Sequence, residues 1–141
     1  MVAQSKRPLL VYVDGACRGN PGHSGAGWVF CLEEGTALGE GCLYLGHHTN
    51  NEAEYLAAAL GLTAALELGI KKVVLRADSE LMVRQIQGVY RVKNPRLKPL
   101  YDRLLTLIGQ FDAFGIEHVL RDRNRLADAM ANRAIDSRPR L

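Results

Sequence analysis

LVYVDGACRGNPG, residues 10–22, sets an aspartate directly behind a run of strand-forming residues and then falls into glycines. Residues 8–13 (PLLVYV) read as a buried strand, and Asp14-Gly15 followed by GNPGHSGAG (19–27) reads as its stop and a loop. A neutral turn residue would close the strand equally well, so the carboxylate raises a question. Taken singly, Asp14 is explained as a turn former, because Asp-Gly is common behind strands.

Outward from this stretch, residues 27–32 and 36–45 are predicted strands joined by a short EEG turn, an antiparallel hairpin. With Glu34-Gly35 as a two-residue turn, Cys31 faces Leu38 and Cys42 faces Gly27, so these two are not cross-strand partners. Three cysteines (Cys17, Cys31, Cys42), an odd count without paired zinc-type spacing, read as free thiols in a reducing compartment. Residues 49–68 form a predicted helix: TNNE offers a capping box, alanine and leucine supply propensity, and Gly69 supplies the stop. KKVVLRAD (71–78) is a fourth strand, again ending on an aspartate, and residues 79–87 form a short helix capped by Asp78 or Ser79. Pro95 and Pro99 bracket the start of a helix running to about Phe111, GIEHVL (115–120) is a fifth strand, and residues 124–136 form the last helix.

Three consecutive strands followed by alternating helix and strand predict an α/β fold. Its mixed five-stranded sheet has three antiparallel strands and two parallel strands reached by right-handed crossovers, with helices on its faces. In such sheets ligands bind beyond the carboxyl ends of the parallel strands, where Asp14 and Asp78 both fall.

The 141 residues, 48% of them hydrophobic, suit a single domain spanning 1–141, with flexibility expected at 1–7 and 137–141. The first residues lack the apolar run of a signal peptide, and the longest apolar stretch is broken by Glu67 and glycines, so a cytoplasmic location without membrane contact is expected. The net charge of +3 divides into −4 for residues 1–70 and +7 for residues 71–141. That basic second half suits a polyanionic partner, although it also fits a solvated surface.

Four carboxylates have competing structural readings. Asp14 is a turn former or a ligand, and Asp78 is a helix N-cap or a ligand. On adjacent strands about 4.8 Å apart the two repel unless a cation lies between them. Glu54 is either the capping-box partner of Asn51 or free for chemistry, depending on whether Glu52, three residues after Thr49, takes the capping role. Asp128 lies just outside the apolar arc of Leu126, Ala127, Met130, Ala131, Ala134 and Ile135, a solvated position or one that leans over a groove. Hard oxygen donors without cysteine or paired histidine point to Mg²⁺ or Mn²⁺, and two such ions about 4 Å apart can drive phosphodiester hydrolysis.

Together, VDGACRGNPG (13–22), TNNEAEY (49–55), ADSELMVRQI (77–86) and the N-x-x-x-D of NRLADAMAN (124–132) resemble the motifs of the type 1 ribonuclease H family, in order and over nearly the whole chain. The resemblance implies a ribonuclease H-like fold and endonucleolytic hydrolysis of the RNA strand of an RNA/DNA hybrid, giving 5′-phosphate and 3′-hydroxyl ends. It implies two Mg²⁺ or Mn²⁺ ions when substrate is bound, held by Asp14, Glu54, Asp78 and Asp128, in a monomer with no obligate protein partner. Cys17, Asn20, Asn50 and Asn51 match family positions that read 2′-hydroxyls, while Thr49 and Asn94 match residues holding a DNA-strand phosphate. Asp-Gly-Ala at the first motif is unlike the D-x-E of the related exonucleases.

The sequence departs from the family twice. A basic protrusion found in some members is replaced by the short RVKNPRLKP (91–99), whose Arg91, Lys93, Arg96 and Lys98 are candidate phosphate contacts or a solvated basic turn. A histidine loop that many members carry after the fifth strand is reduced to Arg121-Asp122-Arg123, leaving its role vacant or passing it to Arg121. His118 is expected to be a packed strand residue, and of His23, His47 and His48 only His47 is a candidate phosphate contact.

Overall fold

The computed structural model describes residues 7–139. Residues 1–6 and 140–141 of the expected flexible ends lie outside the described residues. The chain runs β1 (Leu9–Gly19), β2 (Gly22–Glu33), β3 (Thr36–His48), α1 (Asn50–Glu67), β4 (Lys72–Ala77), α2 (Glu80–Ile86), α3 (Lys98–Ile108), β5 (Ala113–His118) and α4 (Arg125–Asp136). The strands lie in the order β3-β2-β1-β4-β5. β2 is antiparallel to β1 and β3, whereas β4 is parallel to β1 and β5. This is the expected mixed sheet, with β1 at its centre.

The glycine-rich stretch departs from its expected loop. β1 continues through Asp14 to Gly19 and pairs with β2 down to Gly19↔Gly22, so that only Asn20-Pro21 turns the chain. Asp14 is therefore inside a strand, opposite Gly27. What ends near it is the other partner: parallel pairing with β4 stops at Val13↔Ala77, and Asp14 and Asp78 are the next residue on each strand. The carboxylates thus stand where a continuous strand loses one neighbour.

Gly19, with φ 97°, serves the turn, whereas Gly15 and Gly27 serve close packing. A Cβ on Gly15 would lie 2.3 Å from the Ala53 carbonyl carbon of α1, and one on Gly27 would lie 2.3 Å from the Ala127 carbonyl oxygen of α4. Bare backbone at these positions lets α1 approach β1 on one sheet face and α4 approach β2 on the other. Gly27→Ala should destabilise the protein by about 1–3 kcal/mol, the usual cost of overpacking, and push α4 outward. Thermal unfolding checks this, and an unchanged midpoint would refute the packing assignment.

Two apolar layers fix the sheet. Leu9, Val11, Val13, Val73 and Leu75 pack with Ala57, Ala58, Leu62 and Ala65 of α1 and with Leu104 of α3. Tyr12, Val29 and Cys31 pack against Ala127 of α4 on the opposite face. Each fully buried aliphatic side chain contributes about 1.5–3 kcal/mol, so the part of β1 that leads into Asp14 is held on both sides.

Local capping resolves two of the open alternatives. Thr49 is the α1 N-cap: its Oγ1 accepts from the Glu52 N–H at 3.2 Å, while Glu52 Oε1 accepts from the Thr49 N–H at 2.9 Å. Glu52 thereby fills the capping box and leaves Glu54 free. Ser79 caps α2 by accepting from the Met82 N–H at 3.3 Å, which relieves Asp78 of that role.

Smaller differences concern edges. Cys42 faces Gly27 as expected, but an irregularity at Cys31 sets it opposite Ala37 rather than Leu38. β3 runs on to His48, and β5 spans Ala113–His118 rather than 115–120. All three cysteines are free. Among the described residues no helix is long and apolar enough to cross a membrane.

Candidate active site

Each acidic side chain is delivered by a different element. Asp14 comes from β1, Glu54 from α1, Asp78 from the residue after β4 and Asp128 from the first turn of α4. One carboxylate oxygen from each of Asp14, Glu54 and Asp78 lies within 4.8 Å of the others. Glu54 is drawn in by the Gly15 backbone N–H, which donates to its Oε1. Asp128 stands beside this triple rather than within it and lines the same cavity. That cavity, about 390 Å³, is also lined by Cys17, Asn50, Asn51, Ser79, Arg121 and Asn132.

The cluster is electrostatically strained in the absence of a cation. Asp14 is only 6% exposed, and burial followed by the negative charges of Glu54 and Asp78 pushes its carboxyl up to about 10. Burial likewise raises Glu54, to about 7, against the lowering effect of the Gly15 N–H. A carboxyl kept protonated by burial and by its carboxylate neighbours is a group waiting for a counter-charge. Several hard oxygens within reach of one point, and none of the soft ligands in the triple, fit a divalent cation of the Mg²⁺ type.

A second cavity of about 340 Å³ adjoins the first and is lined by Asn20, Thr49, Asn50, Asn51 and Asn94. Its lining is neutral and polar. Asn20 Oδ1 accepts from the Asn50 N–H at 3.0 Å, tying the β1–β2 turn to the start of α1. Asn94 Oδ1 accepts from the Arg96 N–H at 2.8 Å, which shapes its own loop. Cys17 Sγ lies 2.8 Å from Ser24 Oγ and donates to the His48 carbonyl at 3.3 Å, so this thiol is partly engaged by the ribbon. Arg121 faces the acidic cavity, where its charge favours ionised Glu54. The four carboxylates, Cys17, Asn20, Thr49, Asn50, Asn51, Asn94 and Arg121 therefore line one or other of two neighbouring cavities.

The flanking cations are less uniform. Arg96 pairs with Glu52 at 3.7 Å and Lys98 with Asp102 at 2.7 Å, so both are engaged as ion pairs, whereas Arg91 and Lys93 are exposed. His47 packs edge-on against His23, 4.3 Å between ring centres, and His118 is a half-buried strand residue opposite Ala77.

Two amides were given no role of their own in the sequence, although Asn124 opens the N-x-x-x-D motif. Asn124 donates its Nδ2 to the Val13 carbonyl at 2.8 Å and to Asp78 Oδ2 at 3.0 Å, and Asn132 donates to Asp128 Oδ1 at 3.2 Å. Asn124, Asp128 and Asn132 follow one another at i, i+4 and i+8. That single helical face was the available signal.

This topology, with acidic groups gathered where β1 and β4 part, defines a ribonuclease H-like α/β protein. A family model described as reverse transcriptase-like matches residues 12–134. Ribonuclease HI of Halobacterium salinarum is 42% identical over 125 residues, covering 89% of this chain. This chain spans 63% of that relative's length. The crystal structure of RNase H1 from the same archaeon, strain NRC-1, superposes with a TM-score of 0.89 at 40% identity, covering 93% of this chain and 99% of the other. LC11-RNase H1 in complex with an RNA/DNA hybrid superposes with a TM-score of 0.85 at 39% identity, over 91% and 96% of the two chains. The chain belongs to the type 1 ribonuclease H family.

Proposed function

We propose that this protein is a metal-dependent endoribonuclease that hydrolyses the RNA strand of RNA/DNA hybrids, leaving 5′-phosphate and 3′-hydroxyl ends. The observation that carries this reading is the pairing of an acidic cavity with a neutral amide-lined one at the start of α1. One suits divalent ions and the other suits a sugar–phosphate backbone.

Asp14, Glu54, Asp78 and Asp128 would hold two Mg²⁺ or Mn²⁺ ions when substrate is bound. Such ions supply an aimed, deprotonated water and stabilise the departing oxygen. The remaining work belongs to the chain itself. Asn20, Asn50 and Asn51 offer amide donors and acceptors, and Cys17 a thiol, to the 2′-hydroxyls that distinguish RNA from DNA. Thr49, the N-cap of α1, and Asn94, from the loop that shares its cavity, take a phosphate of the DNA strand with the help of the α1 dipole. Arg121 places a permanent cation beside the acidic cavity, where it can hold a phosphate oxygen. Arg91 and Lys93 extend the contact to phosphates farther along the duplex. A reducing cytoplasm suits the three free cysteines, and the proposed enzyme works as a monomer.

End-labelled RNA/DNA hybrid, duplex RNA, duplex DNA and single-stranded RNA, each incubated with Mg²⁺ or Mn²⁺, test the reading. Cleavage of the hybrid's RNA strand with ligatable 5′-phosphate ends is expected. Hybrid binding without any cleavage would replace the enzyme with a binding module that retains the fold.

A further inference from the structure

We propose that Asn124 is a positioning residue for the acidic cluster, acting through Asp78. The proposal rests on the metal-dependent reading above and assigns a role to a side chain outside the four carboxylates. Asn124 is 1% exposed and sits at the N-cap of α4. Its Nδ2 donates to the Val13 carbonyl at 2.8 Å and to Asp78 Oδ2 at 3.0 Å, while its own backbone carbonyl accepts from the Asp128 N–H at 3.0 Å. Val13 directly precedes Asp14. One residue therefore touches the backbone next to Asp14, the carboxylate of Asp78 and the helical turn that carries Asp128.

The chemistry of the position admits few alternatives. Both partners of the side chain are acceptors, so the amide must present its nitrogen, and both hydrogens are used. A serine could satisfy only one partner, an aspartate would set oxygen against two oxygens, and a lysine would put a competing cation beside the cluster. Asn124 Oδ1 is buried and has no hydrogen-bond partner among the described residues. An apolar side chain would avoid that cost but could not hold Asp78. With one Asp78 oxygen tethered, the carboxylate is fixed in rotation and its other oxygen is left for the cluster. Partners that orient a metal ligand in this way commonly govern affinity and rate.

The test compares the unmodified protein with Asn124→Asp and Asn124→Ser at a temperature where circular dichroism shows all of them folded. Calorimetric Mn²⁺ binding without substrate is measured alongside kcat and KM on a hybrid. Mn²⁺ affinity or kcat should fall about 10–100-fold in Asn124→Asp. Asn124→Ser should lose less, with KM for the hybrid moved by less than about twofold in both. In an Asp78→Asn background the Asn124→Ser change should cost little more, because the two residues act as one unit. Unaltered Mn²⁺ affinity and kcat in both variants, or equal costs in both backgrounds, would overturn the proposal. Should Asn124→Asp fail to fold, Asn124→Ser decides alone. An unmodified protein that binds Mn²⁺ but leaves hybrids intact would sink the enzymatic reading instead, and the affinity comparison would still judge Asn124.

Discussion

Asp14→Asn and Asp78→Asn should each lower hydrolysis of an RNA/DNA hybrid by about 10³-fold or more, equivalent to some 4 kcal/mol of barrier. Either change keeps the volume of the side chain and removes its charge. Asp14 lies at the centre of the cluster, with a ligand oxygen within 4.8 Å of those of Glu54 and Asp78, and it lines one cavity with Asp128. An amide there offers one weak carbonyl donor and an NH₂ group that repels a cation, so the loss falls on the step that the ions assist rather than on substrate capture. Hybrid affinity should therefore be unchanged or tighter, since one fewer negative charge faces the phosphates. Single-turnover rates and filter binding separate these effects. Turnover within tenfold of the unmodified protein in either variant would discredit the assignment of the cluster.

Much of this site was readable in advance because its parts lie in order along the chain. The capping signals placed Asp78 and Glu54 near the right ends of their elements, and the topology rule for parallel strands put Asp14 and Asp78 at one edge, although β1 itself runs on past Asp14 to Gly19. Choosing between Glu52 and Glu54 took coordinates, since both spacings satisfy a capping box until the hydrogen bonds of Thr49 are known. The glycines misled for a definite physical reason. In sequence, a bare Cα signals freedom to turn, and the same bare Cα also permits a helix to lie on a strand. Gly15 and Gly27 do the second, which is a tertiary property that no local window reports. Asn124 was invisible in its role for a similar reason. Its partners Val13 and Asp78 are 111 and 46 residues away, and only the fold brings them to one amide.

Without divalent ions, the protein should lose stability as pH rises from about 5 to 9, and Asp14→Asn should remove much of that loss. Burial and the neighbouring carboxylates raise Asp14 from 3.8 to about 10, and burial raises Glu54 from 4.5 to about 7. Both groups therefore keep protons in the folded state that the unfolded chain has already released. Where the folded state binds more protons, unfolding free energy falls with pH, by up to about 1.4 kcal/mol per unit for each group. Their contribution is intact below about pH 4, declines through pH 7 as Glu54 ionises, and declines further toward pH 10 through Asp14. Glu52 has the opposite sign: the Thr49 N–H holds it below its ordinary range, so its stabilisation disappears only as pH drops through that lowered value. Comparing Asp14→Asn with the unmodified protein cancels Glu52 and every other group outside the acidic cluster, leaving Asp14 and its influence on Glu54. In chelator, the variant should match the unmodified protein near pH 4 and exceed it by about 1–3 kcal/mol at pH 8, several degrees in Tm. Mn²⁺ at pH 8 should reverse the order, because it binds the folded unmodified protein and adds stability by mass action. Melting curves that stay parallel from pH 4 to pH 9, with or without Mn²⁺, would mean that the acidic side chains do not crowd one another as their positions require.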